Sequence, residues 1–308
     1  MKEKCVMNKI KNNCITVNVK LFLTFTIIMI LSICAGCSAR TAQAGAGNTN
    51  GNLKIVATSP AVVSICERLD LDLCGVPASS LYETPERYKD ARVVGAPMAP
   101  DMEILADIAP DYILSPVSLK DDLEPKYKNI GAKYVFINLN SVPSMYKSIE
   151  GLGELFNRKT EADGLVNDFK AFYDDYAVRH EGKDGPTVLI LMGLPGSYVI
   201  ATEHSYVGSL VELAGGKNVY AGTDKEFLNV NTEDMLQKNP DVILRTAHAL
   251  PDEVMQMFAD DFRENDIWQH FSAVENGRVY DLPYDSFGMS AKFNYKEALE
   301  LLDEILYE

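Results

Sequence analysis

Residues 103–114 read Glu103-Ile-Leu-Ala-Asp-Ile-Ala-Pro-Asp-Tyr-Ile-Leu114, and residues 233–244 read Glu233-Asp-Met-Leu-Gln-Lys-Asn-Pro-Asp-Val-Ile-Leu244. In each segment a Glu is followed seven residues later by Pro-Asp and then by an apolar run. An offset of 130 residues is too long for a solenoid repeat and suits two similar lobes. Each copy predicts a helix ended by proline, a tight turn and a buried parallel strand, the strands covering 112–115 and 242–244. The length of 308 residues agrees, since a domain takes roughly 150.

The echo lies within alternating strands and helices. In the first half, strands are expected at 53–57, near 73–75 and 93–94, and at 133–137, with a helix around 61–69. In the second half they are expected at 187–192, 198–201 and 279–282, with helices at 208–214 and 296–307. Such alternation implies parallel sheets covered on both faces. Between the halves, 145–156 reads as a helix, and 160–180 as a second one of about six turns. In the latter, Leu165, Phe169, Phe172, Tyr173 and Tyr176 recur on one face. Thr160 and Asp163 resemble a capping pair at its start, and Gly182-Lys-Asp-Gly-Pro186 ends it. The fold class expected is therefore α/β, with two Rossmann-like lobes (53–158 and 184–308) joined by a single spanning helix (159–183). A rigid connector of this kind implies limited motion between the lobes, with a ligand cleft between them.

The first 20 residues carry five Lys against one Glu, and residues 21–33 are apolar apart from Thr24, Thr26 and Ser32. At about 1.5 Å per residue that run is too short to cross a bilayer. A basic region, a short apolar region and small residues describe a secretory signal peptide over 1–36. Cys34-Ala-Gly-Cys37 resembles a bacterial lipobox, except that Cys34 stands where Leu is preferred. In that pattern Cys37 is diacylated and anchors the chain to the outer face of the cell membrane. Residues 37–52, small and polar, read as a flexible tether. The formal net charge is -15, and without a basic patch this argues against nucleic acid. Of the six cysteines, Cys66 and Cys74 remain in the folded part. A disulfide and a pair of buried free thiols are both open there.

With its lipobox, two α/β lobes and spanning helix, the chain resembles the class III substrate-binding proteins of ATP-binding-cassette importers, which carry cobalamin, siderophores or haem. Within them it is most similar to the haem-receptor lipoproteins of the iron-regulated surface determinant systems of Gram-positive bacteria. The similarity spans 53–307 and is strongest in Val188-Leu-Ile-Leu-Met-Gly-Leu-Pro-Gly-Ser-Tyr198, in Asn265-Asp-Ile-Trp268, and around Met98 and His248. The resemblance implies one haem b per chain in the cleft, its iron held by Met98 and His248. Both lie just beyond the carboxyl end of an expected strand, where open α/β sheets place ligands. A soft thioether and an imidazole form a recognised axial pair.

Hydroxyl or amide donors suit the haem propionates, and the candidates by position are Thr58, Ser59, Ser80, Tyr82, Ser197, Tyr198 and Arg245. Arg245 could equally pair with an acid of its own lobe, and Tyr82 or Tyr198 would replace Met98 as iron ligand if it failed. The other histidines, His180, His204 and His270, read as helix-end and loop residues. The resemblance further implies that Glu103 and Glu233 dock into basic pockets of a permease served by an ATPase. It also implies a monomeric receptor, with a cell-surface haem donor upstream. The competing functions are a receptor for a ferric siderophore or cobalamin, a haem-degrading enzyme, and a zinc receptor. The last two are disfavoured, because no nucleophile–base motif, phosphate loop or metal-ligand spacing occurs.

Overall fold

A computed structural model describes residues 53–80 and 82–307. The expected signal peptide, lipidation site at Cys37 and tether lie outside these residues. Among the described residues, no helix is long and apolar enough to cross a membrane.

The first sheet is parallel. Its strands are β1 (Ile55–Ala57), β2 (Gly75–Val76), β3 (Arg92–Val93), β6 (Tyr112–Pro116) and β7 (Lys133–Ile137), in the order β3-β2-β1-β6-β7. A separate hairpin joins β4 (Gly95–Ala96) to β5 (Ala99–Pro100). Val56 and Ile113, paired in the two central strands, are fully buried, as expected of a sheet covered by helices on both faces. Those helices are α1 (Pro60–Arg68), α2 (Met102–Ile108), α3 (Lys120–Lys128) and α4 (Val142–Leu155).

The second sheet is mixed, which corrects the expectation of parallel sheets throughout. Strands β8 (Thr187–Leu194), β12 (Val242–Ala247) and β13 (Val279–Asp281) run parallel, and β10 (Lys217–Asn218) pairs parallel with β8. By contrast β9 (Ser197–Ala201) folds back antiparallel on β8, and β11 (Phe227–Leu228) pairs antiparallel with β9. The reason is the Pro195-Gly196 turn. Gly196 sits at φ +80°, so two residues reverse the chain where a parallel strand would need a long crossover. Helices α6 (Tyr206–Leu213), α7 (Thr232–Lys238), α8 (Pro251–Glu264) and α9 (Ser272–Glu275) accompany this sheet, followed by α10 (Tyr284–Phe287) and α11 (Tyr295–Tyr307).

The sequence echo is a structural one. Helices α2 and α7 each end on a left-handed cap, Ala109 at φ 47° and Asn239 at φ 39°. Proline follows each cap. The Asp beyond it reaches the backbone of the neighbouring strand: Asp111 accepts from the Lys54 N–H at 2.8 Å, and Asp241 accepts from the Thr187 N–H at 2.8 Å. Each repeated Asp thus satisfies the first backbone donor beside its lobe's central strands.

Between the sheets runs α5 (Lys159–His180). It starts one residue before Thr160, with Arg158 as a cap that makes no side-chain bond. The expected Thr160–Asp163 capping pair is therefore absent; Asp163 instead accepts from Lys159 Nζ at 3.0 Å, one helical turn away. One end of α5 packs on α4, where Phe169 stacks on Tyr146 at 4.5 Å. The other end meets α11: Tyr176 Oη donates to the Leu299 carbonyl at 3.0 Å, Arg179 grips Glu300, and His180 Nε2 lies 2.5 Å from Asp303. A single buried cluster runs from Ile55 through Phe169 and Tyr176 to Leu306, so both sheets share one core. Cys66 is buried and Cys74 half-buried, and both thiols are free; burial pushes the Cys66 thiol up to about 12.

Candidate ligand-binding site

Thr58 and Ser59 follow β1 and His248 follows β12, at the carboxyl ends of those strands, whereas Ser197 and Tyr198 open β9 and Arg245 lies within β12. Met98 occupies the turn of the β4–β5 hairpin. The hairpin is tied to the first sheet because the Ala78 N–H donates to the Gly95 carbonyl, and the Asp101 N–H to that of Val94. Gly95 holds φ +91°, and a Cβ there would meet Asp101 N at 3.0 Å and Ala99 O at 3.1 Å. The geometry of the hairpin thus depends on glycine at this position. The Met98 side chain is 64 % exposed, an apolar thioether presented to solvent on a tethered turn.

His248 follows β12, and its backbone N–H donates to the Gly193 carbonyl at 2.8 Å, extending the β8–β12 ladder by one residue. Its ring is half-buried, and Nδ1 is shut away from solvent without a hydrogen-bond partner. Burial holds its pKa below the usual histidine value, so the neutral imidazole, the form that ligates a metal, is favoured. A buried ring nitrogen left unpaired is costly. The donor set, one neutral imidazole and one thioether, fits a soft or borderline iron centre without adding charge.

The remaining candidates divide into engaged and available groups. Thr58 Oγ1 is buried, 2.5 Å from Ser115 Oγ, which in turn lies 2.8 Å from Tyr127 Oη. The Ser59 hydroxyl caps α1, accepting from Val62 N. Tyr198 Oη donates to Asp261 at 2.9 Å, and its ring packs on Phe258 beneath α8. Arg245 makes a bidentate pair with Asp281, at 2.7 and 2.8 Å, and lies 4.6 Å from the Phe262 ring centre. This is the pairing within its own lobe that the sequence left open. Ser80 and Ser197 are exposed, and Tyr82 is half-buried. Burial, and secondarily Glu67, pushes the Tyr82 phenol up to about 12, which leaves it a protonated donor. Asp261, which also accepts from Trp268 Nε1 at 2.8 Å, was not anticipated. Its signal in the sequence is only a seven-residue spacing to Trp268.

Glu103 and Glu233 are each the second residue of their helix, and both are exposed. Their equivalence under the echo is therefore structural as well as sequential. A polar cavity of about 330 Å³ lined by Asn138, Asn140, Glu203, His204 and Glu212 contains none of the candidate residues. Its carboxylates would repel an anionic ligand.

The periplasmic binding protein family matches residues 55–285. The chain belongs to that family. Among its relatives, the high-affinity heme uptake system protein IsdE of Staphylococcus aureus is 39 % identical over 290 residues, covering 93 % of this chain and 98 % of the relative. The structure of S. aureus IsdE complexed with heme is similar at a TM-score of 0.79 and 40 % identity, over 84 % of this chain and all of that one. A substrate-binding protein of an ABC transporter from Listeria monocytogenes EGD-e aligns at 45 % identity and a TM-score of 0.79, over 83 % of this chain and 98 % of its own. A vitamin-B12-binding protein of Vibrio cholerae, at 18 % identity and a TM-score of 0.66, shares the fold. Periplasmic binding proteins of one fold therefore carry different ligands, and the ligand must be argued from the site.

Proposed function

We propose that this chain is the haem receptor of an ABC importer: it binds one haem b through Met98 and His248 and delivers it to a membrane permease. The observation that carries the reading is His248, whose ring nitrogen Nδ1 is buried without a partner, at the end of β12. An exposed Met98 on a hairpin of the other sheet stands as its counterpart. Similarity to IsdE supports haem as the cargo. Ser80, Tyr82 and Ser197 retain free or accessible hydroxyls for the propionates, whereas Thr58, Ser59, Tyr198 and Arg245 are committed to internal partners.

The chain divides into a signal peptide (1–36), a tether (37–52) lipidated at Cys37, lobes at 53–158 and 184–308, and the helix 159–183 between them. Glu103 and Glu233 engage the permease, and a partner ATPase drives transfer. The receptor acts as a monomer and performs no chemistry on its cargo. With both axial positions filled by protein, iron keeps none open for oxygen.

Competition separates haem from the other ligands of this fold. Hemin, a ferric siderophore and cyanocobalamin are added in turn to the purified protein, and intrinsic Trp268 fluorescence is followed. Tight quenching by hemin alone is expected. Saturable binding of the siderophore or cobalamin, with none of hemin, would contradict the reading.

A further inference from the structure

Two residues beyond His248, Leu250 adopts φ 46° and ψ 60° as the cap before α8. This left-handed conformation brings the Cβ of an L-residue against its own carbonyl, and Gly or Asn normally takes it. Here the residue is a branched, bulky one. Ala109 and Asn239 also hold a left-handed turn before a proline, so what sets Leu250 apart is the bulk of its apolar side chain: the other non-glycine residues with positive φ among the described residues are Asp70, Ala109, Asn157 and Asn239. The core does not compensate for it: the Leu250 side chain is 54 % exposed. Its hydrogen bonding is also generic, since the Val254 N–H donates to the Leu250 carbonyl, which any residue could accept. A glycine would make the same turn without strain and without leaving an isobutyl group in water.

Backbone strain at a bulky residue clusters at ligand sites. We infer that Leu250 is a specificity-determining residue of the ligand site: it lays its side chain on the porphyrin face beside the imidazole and shields the iron–His248 bond from water. The inference rests on the haem reading above. It assigns the strained turn a function, which is to aim an apolar group where the ligand, not the protein, will cover it. The sharp turn also starts α8 immediately after the ligand residue, so His248 and Leu250 share one short segment between β12 and α8.

The test uses the full folded protein loaded with hemin, with release followed by transfer to excess apomyoglobin. Leu250→Ala is expected to release haem about five- to tenfold faster, from the apolar area lost, with an unchanged Soret position because both axial ligands remain. Leu250→Gly should release haem as fast, while its ligand-free form melts no lower than wild type because the strained turn is relieved. Val178→Ala removes a more exposed apolar side chain from α5 (69 % exposed) and should leave release unchanged. Wild-type release from Leu250→Ala would overturn the assignment while leaving the haem reading intact. A wild-type protein that leaves the hemin spectrum unaltered would overturn both.

Discussion

At position 248 one ring nitrogen has been taken out of water without being given a partner, and the same chain offers a thioether to solvent at position 98. Both features are costs in the ligand-free protein, and the proposed iron ligation would offset them. Removing an outer contact of a metal site costs about 10–100-fold in affinity, so losing an iron ligand should cost at least that. Met98→Ala should therefore weaken hemin binding at least tenfold and move the Soret band, and His248→Ala should weaken it further; titration with hemin reads both.

A different buried group gives a pH prediction. Glu226 Oε2 accepts from Asn140 Nδ2 at 3.2 Å, while Oε1 is buried without a partner. Burial raises its pKa above the ordinary 4.5, against the Asn140 bond and the His204 charge. The neutral form is favoured in the fold, so its stability contribution is full below about 4.5 and is lost as pH rises through the raised value. Glu226→Gln should accordingly raise the melting temperature at pH 7 and leave it unchanged at pH 4. Equal shifts at both pH values would contradict this.

Among the elements, what was legible in the sequence was local. The strand at 133–137 and the Pro-Asp turns follow from apolar runs and punctuation, and the structure reproduces them. The antiparallel β9 was signalled by Pro195-Gly196, but apolar alternation alone carries no strand direction. The start of α5 was misread because Thr160 and Asp163 have the spacing of a capping pair, while the Lys159–Asp163 ion pair competes at the same place. Tyr198 looked free, and the acid that pairs with Arg245 could not be named, because their partners, Asp261 and Asp281, lie 63 and 36 residues away. Pairing at such range is set by packing and leaves no trace in a local pattern.

Packing between elements makes its own prediction at Gly153, where α4 meets α5. A Cβ there would lie 2.5 Å from the Ala162 Cβ and 3.1 Å from the Arg158 carbonyl oxygen. Alanine favours helix over glycine by about 1 kcal/mol, yet overpacking costs about 1–3 kcal/mol. Gly153→Ala should therefore destabilise on balance, by up to about 2 kcal/mol in urea unfolding. Stabilisation would show that the helices separate freely.

For the whole molecule, the shared core and the contacts of α5 with α11 join the sheets into one body, as a rigid connector requires. Across the seam the Ala291 N–H donates to the Leu139 carbonyl at 2.8 Å, and Arg68 lies 4.1 Å from the Phe293 ring centre. On such a body Glu103 and Glu233 keep a fixed separation, which suits a pseudo-symmetric permease. Glu103→Ala combined with Glu233→Ala should abolish haem uptake by cells while leaving hemin affinity unchanged; weakened hemin binding would contradict the docking role.

The most direct measurement is a titration of the purified ligand-free protein with hemin, followed in the visible spectrum. A sharp Soret band that saturates at one hemin per chain, with the features of a six-coordinate iron, is the predicted result. A spectrum that remains that of free hemin at every ratio would contradict the account.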